Sequence, residues 1–260
     1  MLSLLAATLS QAETDNPYVA FHNMETFERD GEQIRALRLP VYITLRSWQD
    51  RRTGLRLRLA ASAAAADLFD LLEQGLTEVR VLSFVPGIEF VFPVGDHHVL
   101  RPYLDAGVGT NSYTNGRDFL GAIGLRTELI FLRGQYIFGA EPGVQFSFNS
   151  GPRDNRVFNP FVTVSARRVL GMEIAGSHPD AEVYFDAGYN FQTFEITSIR
   201  ADDNNIARQF EVGIGFGFSR NRPTIGPFAV PRLRIGYRFG DLEGFRFRVG
   251  GDWLSPISTP

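Results

Sequence analysis

The chain has 260 residues, enough for one large domain or two small ones, and 44% of them are hydrophobic, enough to bury a core. Cysteine is absent, which excludes disulfides, thiol nucleophiles and cysteine-ligated metals. The net charge is −3 and the pI is about 5.9, so a broad nucleic-acid surface is not expected. No run of about 20 apolar residues follows the N-terminus, so no transmembrane helix is predicted.

The first twelve residues, from Met1 to Ala12, are apolar and uncharged and end in Ser10-Gln11-Ala12. Small residues at the last and third-last of these positions suit cleavage by signal peptidase. We interpret residues 1–12 as a signal-peptide remnant, the alternative being a frayed apolar N-terminus. Residues 13–33 form an N-terminal segment, in which alternation between Pro17 and Phe27 gives a candidate first strand.

Period-two alternation of apolar and polar residues recurs from about residue 34 to the end of the chain. Leucines alternate with arginines from Leu55 to Leu59, and large apolar residues alternate with Glu and Gly from Phe210 to Phe218. Turn sequences rich in Gly, Asn and Asp separate these runs. The pattern predicts eleven strands, near residues 36–47, 53–63, 79–92, 99–112, 118–131, 134–149, 157–169, 182–197, 207–219, 229–239 and 243–254.

One segment breaks the alternation. From Ala60 to Gly75, leucines recur at helical spacing, with Asp and Glu at other positions. This predicts a short amphipathic helix, centred on residues 64–75, between two strands. The helix is interpreted as a connection packed on the rim of the fold, and a plug inside the lumen is the alternative.

The lengths of the runs indicate a membrane barrel. Most predicted strands have 11 to 16 residues, whereas strands of soluble sandwiches usually have about five or six. A tilted strand needs about 9–11 residues to cross a bilayer, and strands in lipid must close into a barrel to pair their backbones. We therefore predict an all-β fold: a single antiparallel transmembrane barrel of 10–12 strands over residues 34–254, followed by a tail at 255–260.

The two faces of the predicted strands differ in chemistry. The large apolar side chains, such as Phe90, Phe146 and Phe247, are expected to face lipid, whereas a soluble barrel would bury them inside. The residues predicted to line the lumen are Arg56, Arg58, Glu89, Asp105, Arg126, Glu128, Asp186, Glu211, Arg234, Arg238, Arg246 and Arg248. Aromatic residues near strand ends suit interfacial girdles: Trp48, Tyr113, Tyr136, Phe138, Phe194, Phe228 and Trp253.

A resemblance supports this architecture. The segment Phe84-Val85-Pro86-Gly87-Ile88-Glu89-Phe90, followed by Arg101-Pro102-Tyr103-Leu104-Asp105-Ala106-Gly107-Val108-Gly109, resembles bacterial outer-membrane barrels. The order of the whole chain resembles the solitary autotransporter-type β-barrel proteins, which lack a passenger domain. The resemblance implies a place in outer-membrane lipid and insertion by the barrel assembly machinery. That machinery reads an aromatic residue in the last strand, and Arg234 to Phe239 fits this pattern one strand before the end.

The histidines do not predict a metal or catalytic site. His97 and His98 are adjacent in a tight turn, where neighbouring side chains of an extended chain point apart, so they are interpreted as solvated turn residues. His178 lies with Ser177 and Asp180 in one short turn, which is too compact for a catalytic relay. No cofactor is expected, and the glycines of Gly213 to Gly217 keep strand spacing rather than forming a dinucleotide loop.

The interior charges leave two interpretations open. Arginines outnumber acids on the predicted inner face, so the lumen is either a salt-bridged filling or a cationic pore for anionic solutes. Arginines from the first and last strands are expected to form a continuous basic wall, whose counter-charges come from the acids on the opposite wall or from solvent anions. All 26 basic residues are arginines, which suits fixed ion pairs, although genome composition gives the same bias.

The sequence thus predicts a non-enzymatic outer-membrane barrel with a structural or transport role. An outer-membrane hydrolase and a soluble exported ligand-binding barrel are the alternatives. The turns at Gly95-Asp96 and Gly240-Asp241 are expected on the periplasmic side, because outer-membrane barrels have short turns there. The longer connections at 63–78 and 172–182 are expected outside.

Overall fold

The computed structural model describes residues 26–29, 32–46, 53–65, 81–111, 116–150, 155–174, 176–191, 208–218, 224–225, 228–229, 232–240 and 244–249. Almost all of these residues belong to strands. Within these ranges, no helix is long and apolar enough to cross a membrane.

The strands follow one another with short gaps along most of the chain. They are β1 (Thr26–Arg29), β2 (Glu32–Arg46), β3 (Gly54–Ala65), β4 (Val81–Pro93), β5 (His98–Asn111), β6 (Gly116–Arg133), β7 (Tyr136–Ser150), β8 (Asn155–Val169), β9 (Pro179–Tyr189), β10 (Arg208–Phe218), β11 (Thr224–Ile225), β12 (Phe228–Ala229), β13 (Leu233–Gly240) and β14 (Gly244–Val249).

Twelve of these strands form one antiparallel sheet. Each pairs with its neighbour in chain order from β1 to β10, and β13 and β14 then complete the sheet, while β11 and β12 form a separate hairpin. The prediction of a single antiparallel all-β fold with 10–12 strands is therefore confirmed. The candidate strand at 17–27 overlaps β1 only at its last two residues, and residues 17–25 lie outside the described ranges.

The predicted helix near residues 64–75 is wrong at its start. Ala60 to Ala65 continue β3 and pair with β2 on one side and, up to Ala64, with β4 on the other. Alanine favours helix in isolation, but pairing on both edges of this segment outweighs that small preference. The rest of the predicted helix lies outside the described residues.

The connections alternate between the two ends of the sheet, because every strand reverses direction. Gly95 lies between β4 and β5, and Gly240 is the last residue of β13, before β14. Seven strands of the main sheet, β5 to β10 and β13, separate these two turns, and because this number is odd the turns lie at opposite ends. The expectation that both are periplasmic is therefore wrong, and the connections at 63–78 and 172–182 also lie at opposite ends. We call the two ends the Gly95 end and the Gly240 end.

One face of the single sheet is buried. On β4 most odd-numbered positions are buried and most even-numbered positions are exposed, and similar alternation continues along the sheet. Arg248 on β14 reaches Asp186 on β9, past two intervening strands, with 2.6 Å between Nη2 and Oδ2. A sheet brings such distant strands together on one face by curling, so the buried face is the interior of a barrel.

The outer face is apolar. Large hydrophobic side chains are exposed on the outer face from β4 to β14, among them Phe84, Ile123, Val183, Ile214 and Phe247. The interior contains most of the buried charged side chains. This arrangement is the inverse of a soluble barrel, whose apolar side chains fill the inside.

Candidate functional site

The candidate site is the barrel interior, where ion pairs join arginines to carboxylates on nearby strands. Three glutamates, Glu89, Glu182 and Glu211, each contact three arginines, and a fourth, Glu128, pairs with Arg101. The glutamates are at most 2% exposed. A buried carboxylate retains its charge only if such partners replace water, so these contacts are essential to the interior.

The Glu89 cluster comprises Glu89, Arg56, Arg58 and Arg126, from strands β3, β4 and β6. Arg56 Nη1 lies 3.1 Å from Glu89 Oε1, Arg58 Nη1 lies 3.8 Å from Oε2, and Arg126 contacts Oε2 closely. Glu89 is itself fully buried. Its single negative charge therefore interacts with three guanidinium groups.

Two further carboxylates extend the Glu89 cluster. Arg58 Nη2 lies 3.1 Å from Asp105 Oδ2, and Arg126 Nη1 lies 3.5 Å from Glu141 Oε1. Three carboxylates thus face three arginines across β3 to β7, so the cluster has no net charge.

Tyr103 fills the space between these groups. The guanidinium carbon of Arg58 lies 3.9 Å from the ring centroid and that of Arg126 lies 5.3 Å from it, both within cation–π range. The hydroxyl donates a 2.7 Å hydrogen bond to Gln145 on β7. The ring lies over Gly124, where an added Cβ would overlap it, so glycine is required at this position.

The Glu182 cluster comprises Glu182, Arg167, Arg232 and Arg234. Arg234 binds the carboxylate in a bidentate manner, with Nε and Nη2 each 2.8 Å from one oxygen, and Arg167 Nε lies 3.2 Å from Oε1. Arg232 lies 3.5 Å from Glu182 and 2.6 Å from Asp180. Strands β8, β9 and β13 are therefore joined through one carboxylate.

The Glu211 cluster comprises Glu211, Arg238, Arg246 and Arg248. Arg248 Nη2 lies 2.5 Å from Oε1, and Arg246 and Arg238 lie 3.3 Å and 4.0 Å from Oε2. This cluster joins β10, β13 and β14, and the second contact of Arg248, with Asp186, extends it to β9.

Tyr184 lies between the Glu182 and Glu211 clusters and contacts both. Like Tyr103 in the Glu89 cluster, it combines cation–π contacts with a hydrogen bond from its hydroxyl. Its hydroxyl donates a 2.6 Å hydrogen bond to Glu211, and Arg234 and Arg248 lie 5.0 Å and 5.1 Å from its ring centroid. Its hydroxyl end lies over Gly213 and Gly236. The sequences around the two tyrosines are alike, YLDAG at 103–107 and YFDAG at 184–188.

All twelve residues predicted to line the lumen take part in these ion pairs. Ten are buried or nearly so, and Asp186 and Arg248 are the most accessible, with about a fifth of each side chain exposed. The sequence reasoning missed Arg101, Glu141, Arg167, Asp180, Glu182 and Arg232. Strand parity was the available signal for most of these, since Arg101 shares a face with Asp105, and Glu182 with Asp186.

The expected basic wall is not present in the described interior. Arg56 and Arg58 pair with Glu89 on the adjacent strand. Arg238 pairs with Glu211 on the adjacent strand, and Arg246 pairs with Glu211 across one intervening strand. Ten arginines and eight carboxylates take part in these pairs, so charges of both signs are interleaved around the interior rather than separated on opposite walls.

The histidines in the described segments lie away from these clusters. His98 Nε2 contacts Thr127 Oγ1, His97 lies against the ring of Phe131, and His178 Nδ1 lies 3.1 Å from the carbonyl oxygen of Met172. Among the described residues, no group of three or more His, Asp, Glu or Cys side chains could hold a metal ion.

Comparison with known proteins identifies the fold. No family model and no curated protein matches the chain. The β domain of the Bordetella autotransporter BrkA is structurally similar, with a TM-score of 0.50 and 11% identity over 83% of this chain and 87% of that one. The siderophore receptor PirA from Pseudomonas aeruginosa aligns with a TM-score of 0.32 and 12% identity over 84% of this chain and 37% of the receptor. The chain thus has the fold of an autotransporter β domain, as the sequence resemblance predicted.

Proposed function

We propose that this protein is a non-enzymatic barrel of the bacterial outer membrane, whose ion-paired interior is closed and whose role is structural. The observation that carries the proposal is the inverted arrangement of the barrel. Large apolar side chains cover the outside, and charged side chains fill the inside. Exposure of this apolar outer surface to water is unfavourable in free energy, whereas its contact with lipid acyl chains is favourable.

The dimensions of the outer surface support a membrane location. On β8, Arg156 and Arg168 both face outward, and the outward positions between them are Phe158, Pro160, Val162, Val164 and Ala166. Twelve residues at about 3.3 Å each cover roughly 40 Å along the strand. A tilt of about 40° reduces this to roughly 30 Å across the membrane, the thickness of a hydrocarbon core.

The burial of the interior charges supports a closed lumen. Arg101 and Arg234 are each 2% exposed and Glu89 is 0% exposed, although all three lie on the inner face. Side chains that line an open aqueous channel would contact water. The interior charges therefore act as a packed polar core that ties neighbouring and more distant strands together.

Conductance in a planar bilayer tests the closed lumen. We expect the refolded wild-type protein to insert, as shown by a heat-modifiable shift on gels, without sustained ionic current. Replacement of Glu211 by Gln should raise the current, because it leaves Arg238, Arg246 and Arg248 with less counter-charge and loosens the wall. A steady, anion-selective current from the wild type would instead support a pore lined by arginines.

Two further experiments test the alternative functions. Fractionation into the detergent-soluble outer membrane separates the proposal from a soluble exported ligand-binding barrel. Lipid and peptide hydrolysis assays on the wild type and on alanine variants of His97, His98 and His178 test an outer-membrane hydrolase. We expect no activity that these substitutions abolish. His98 contacts the hydroxyl of Thr127, but no carboxylate is described beside this pair to orient the imidazole, and the contact described for His178 is with a main-chain carbonyl.

The proposed partners are outer-membrane lipid and, during insertion, the barrel assembly machinery. The BrkA β domain supports the barrel architecture but not a passenger for this chain. Depletion of the assembly machinery should reduce the amount of heat-modifiable protein in the membrane if this route of insertion is correct.

A further inference from the structure

The charges on the outward face of β4 to β14 have one sign and lie only near the strand ends. The outward positions described on these strands contain no Asp or Glu. Their charged residues are Arg133 and Arg168 at the Gly95 end and Arg117, Arg156 and Arg208 at the Gly240 end. The apolar band lies between these two groups of arginines.

At the Gly95 end, two of these arginines flank one aromatic ring. Tyr136, the first residue of β7, pairs with Arg133 on β6 and with Arg168 on β8. Cross-strand partners share a face and have Cβ atoms about 5 Å apart, so the three side chains form one row. The guanidinium carbon of Arg168 lies 6.0 Å from the ring centroid of Tyr136. We call this row the arginine–tyrosine clamp.

A shallow, open depression lies beside the clamp. An open pocket of about 600 Å³ is lined by Arg133, Gly134, Gln135, Tyr136 and Phe138. Gly134 has a φ of 61°, a conformation that glycine adopts readily in the tight turn between β6 and β7. The ring of Phe138 stacks on that of Tyr136, with centroids 6.3 Å apart, and continues the clamp into the apolar band.

The clamp has excess positive charge. In the described part of the chain, neither Arg133 nor Arg168 pairs with a carboxylate, whereas the arginines of the barrel interior do. Arg133 and Arg168 lie on strands that are two apart, so about 10 Å separates their backbones, and both long side chains can reach one anion beside the ring of Tyr136. Their like charges favour a bound anion there. A phosphate accepts hydrogen bonds from the planar guanidinium fork with good geometry.

We propose that the arginine–tyrosine clamp binds the phosphate of an anionic phospholipid, with an acyl chain along Phe138. This inference rests on the proposed membrane location. Arg168 lies roughly 30 Å across the bilayer from Arg156 by the estimate above, which places the clamp at the depth of one layer of headgroups. A soluble anion would not need the adjacent apolar surface, whereas a phospholipid matches both the charge and the apolar surface.

A lipid-selectivity measurement tests the site. Wild type, R133Q/R168Q and R117Q/R156Q are refolded into phosphatidylcholine vesicles that contain a small fraction of spin-labelled phosphatidylglycerol or spin-labelled phosphatidylcholine. The second double variant is the matched control, because it removes the same charge from arginines that do not flank a common ring. The relative association constant of the two labelled lipids is read from the motionally restricted signal.

We expect the wild type to prefer phosphatidylglycerol. In R133Q/R168Q the relative association constant for phosphatidylglycerol should fall by several-fold to about tenfold, so that most of the preference is lost. R117Q/R156Q should retain most of the preference. Equal losses in both double variants, or no preference in the wild type, would overturn the clamp while the barrel still inserts. Failure of all three proteins to give a heat-modifiable band in either vesicle would overturn the membrane location itself, and the clamp with it. Inorganic phosphate at millimolar concentration should not displace the labelled lipid, and displacement would indicate a site for the free anion instead.

Discussion

Replacement of Glu89 by Gln should destabilise the barrel strongly, because its buried carboxylate contacts three arginines at once. The change keeps the size of the side chain and removes only its charge. Arg56 loses the carboxylate at 3.1 Å, Arg58 loses one of two carboxylate contacts, and Arg126 keeps only the contact with Glu141. Removal of one partner from a buried ion pair typically costs about 3–5 kcal/mol, and we expect a loss of stability in that range.

The matched control is Glu128→Gln. Glu128 is as buried as Glu89, but the ion pair described for it involves Arg101 alone. Its substitution should therefore cost less than that of Glu89, although both remove one buried negative charge. Urea-induced unfolding in detergent micelles, followed by tyrosine and tryptophan fluorescence, gives the free energies of unfolding.

A double-mutant cycle separates the ion pair from general disruption. If Glu89 and Arg126 interact as their contact indicates, the variant E89Q/R126Q should be more stable than the sum of the two single losses predicts, by about 0.5–3 kcal/mol. Additive losses of unfolding free energy in the double variant, or a loss below about 1 kcal/mol in E89Q, would refute the conclusion that the Glu89 cluster stabilises the barrel.

Three other outcomes are expected. Gly124→Ala should cost about 1–3 kcal/mol in the same unfolding assay because a Cβ displaces the ring of Tyr103, whereas Gly188→Ala, whose Cβ would meet nothing closer than 3.5 Å, should be nearly neutral. Phe247→Arg should reduce the yield of heat-modifiable protein, because a charge on the outer, lipid-facing surface costs up to about 2–4 kcal/mol, depending on its depth. Cysteines at Asp96 and at Asp241 should show opposite accessibility to an impermeant maleimide on intact cells, because their turns lie at opposite ends, and labelling of both or neither would contradict the topology.

The sequence predicts the strand order and the fold well because both follow from local pattern. Alternation over more than ten residues marks each strand, and turn residues separate the strands, so a chain-order antiparallel sheet is the simplest result. The prediction was wrong at Ala60 to Ala65 because alanine composition favours a helix, whereas the strand pairing makes this segment part of β3. A run of alanines does not alternate between apolar and polar residues, so the sequence pattern does not mark it as a strand. The placement of Gly95 and Gly240 at one end was an error in counting strands, not in reading the pattern.

The pairing of interior charges is harder to obtain from sequence. Parity shows that Glu211 faces inward, but it does not show that Arg246, two strands away, reaches it. Contacts between strands that are not neighbours depend on the tilt, stagger and radius of the barrel, which alternation does not encode. The prediction of a basic wall was wrong for this reason. It considered only the strand on which each arginine lies and not the acidic side chains that neighbouring strands bring within its reach.

The choice of arginine throughout the chain has a structural explanation in the interior. Arg234 uses two nitrogens to hold both oxygens of Glu182, while Arg167 and Arg232 contact the same carboxylate from other strands. A lysine ammonium is a single point that cannot bind both oxygens in this planar manner. At the arginine–tyrosine clamp the same fork faces outward, and no carboxylate in the described segments pairs with it. The function of each arginine is therefore determined by the face of the strand on which it lies and by the acids that the barrel places within its reach.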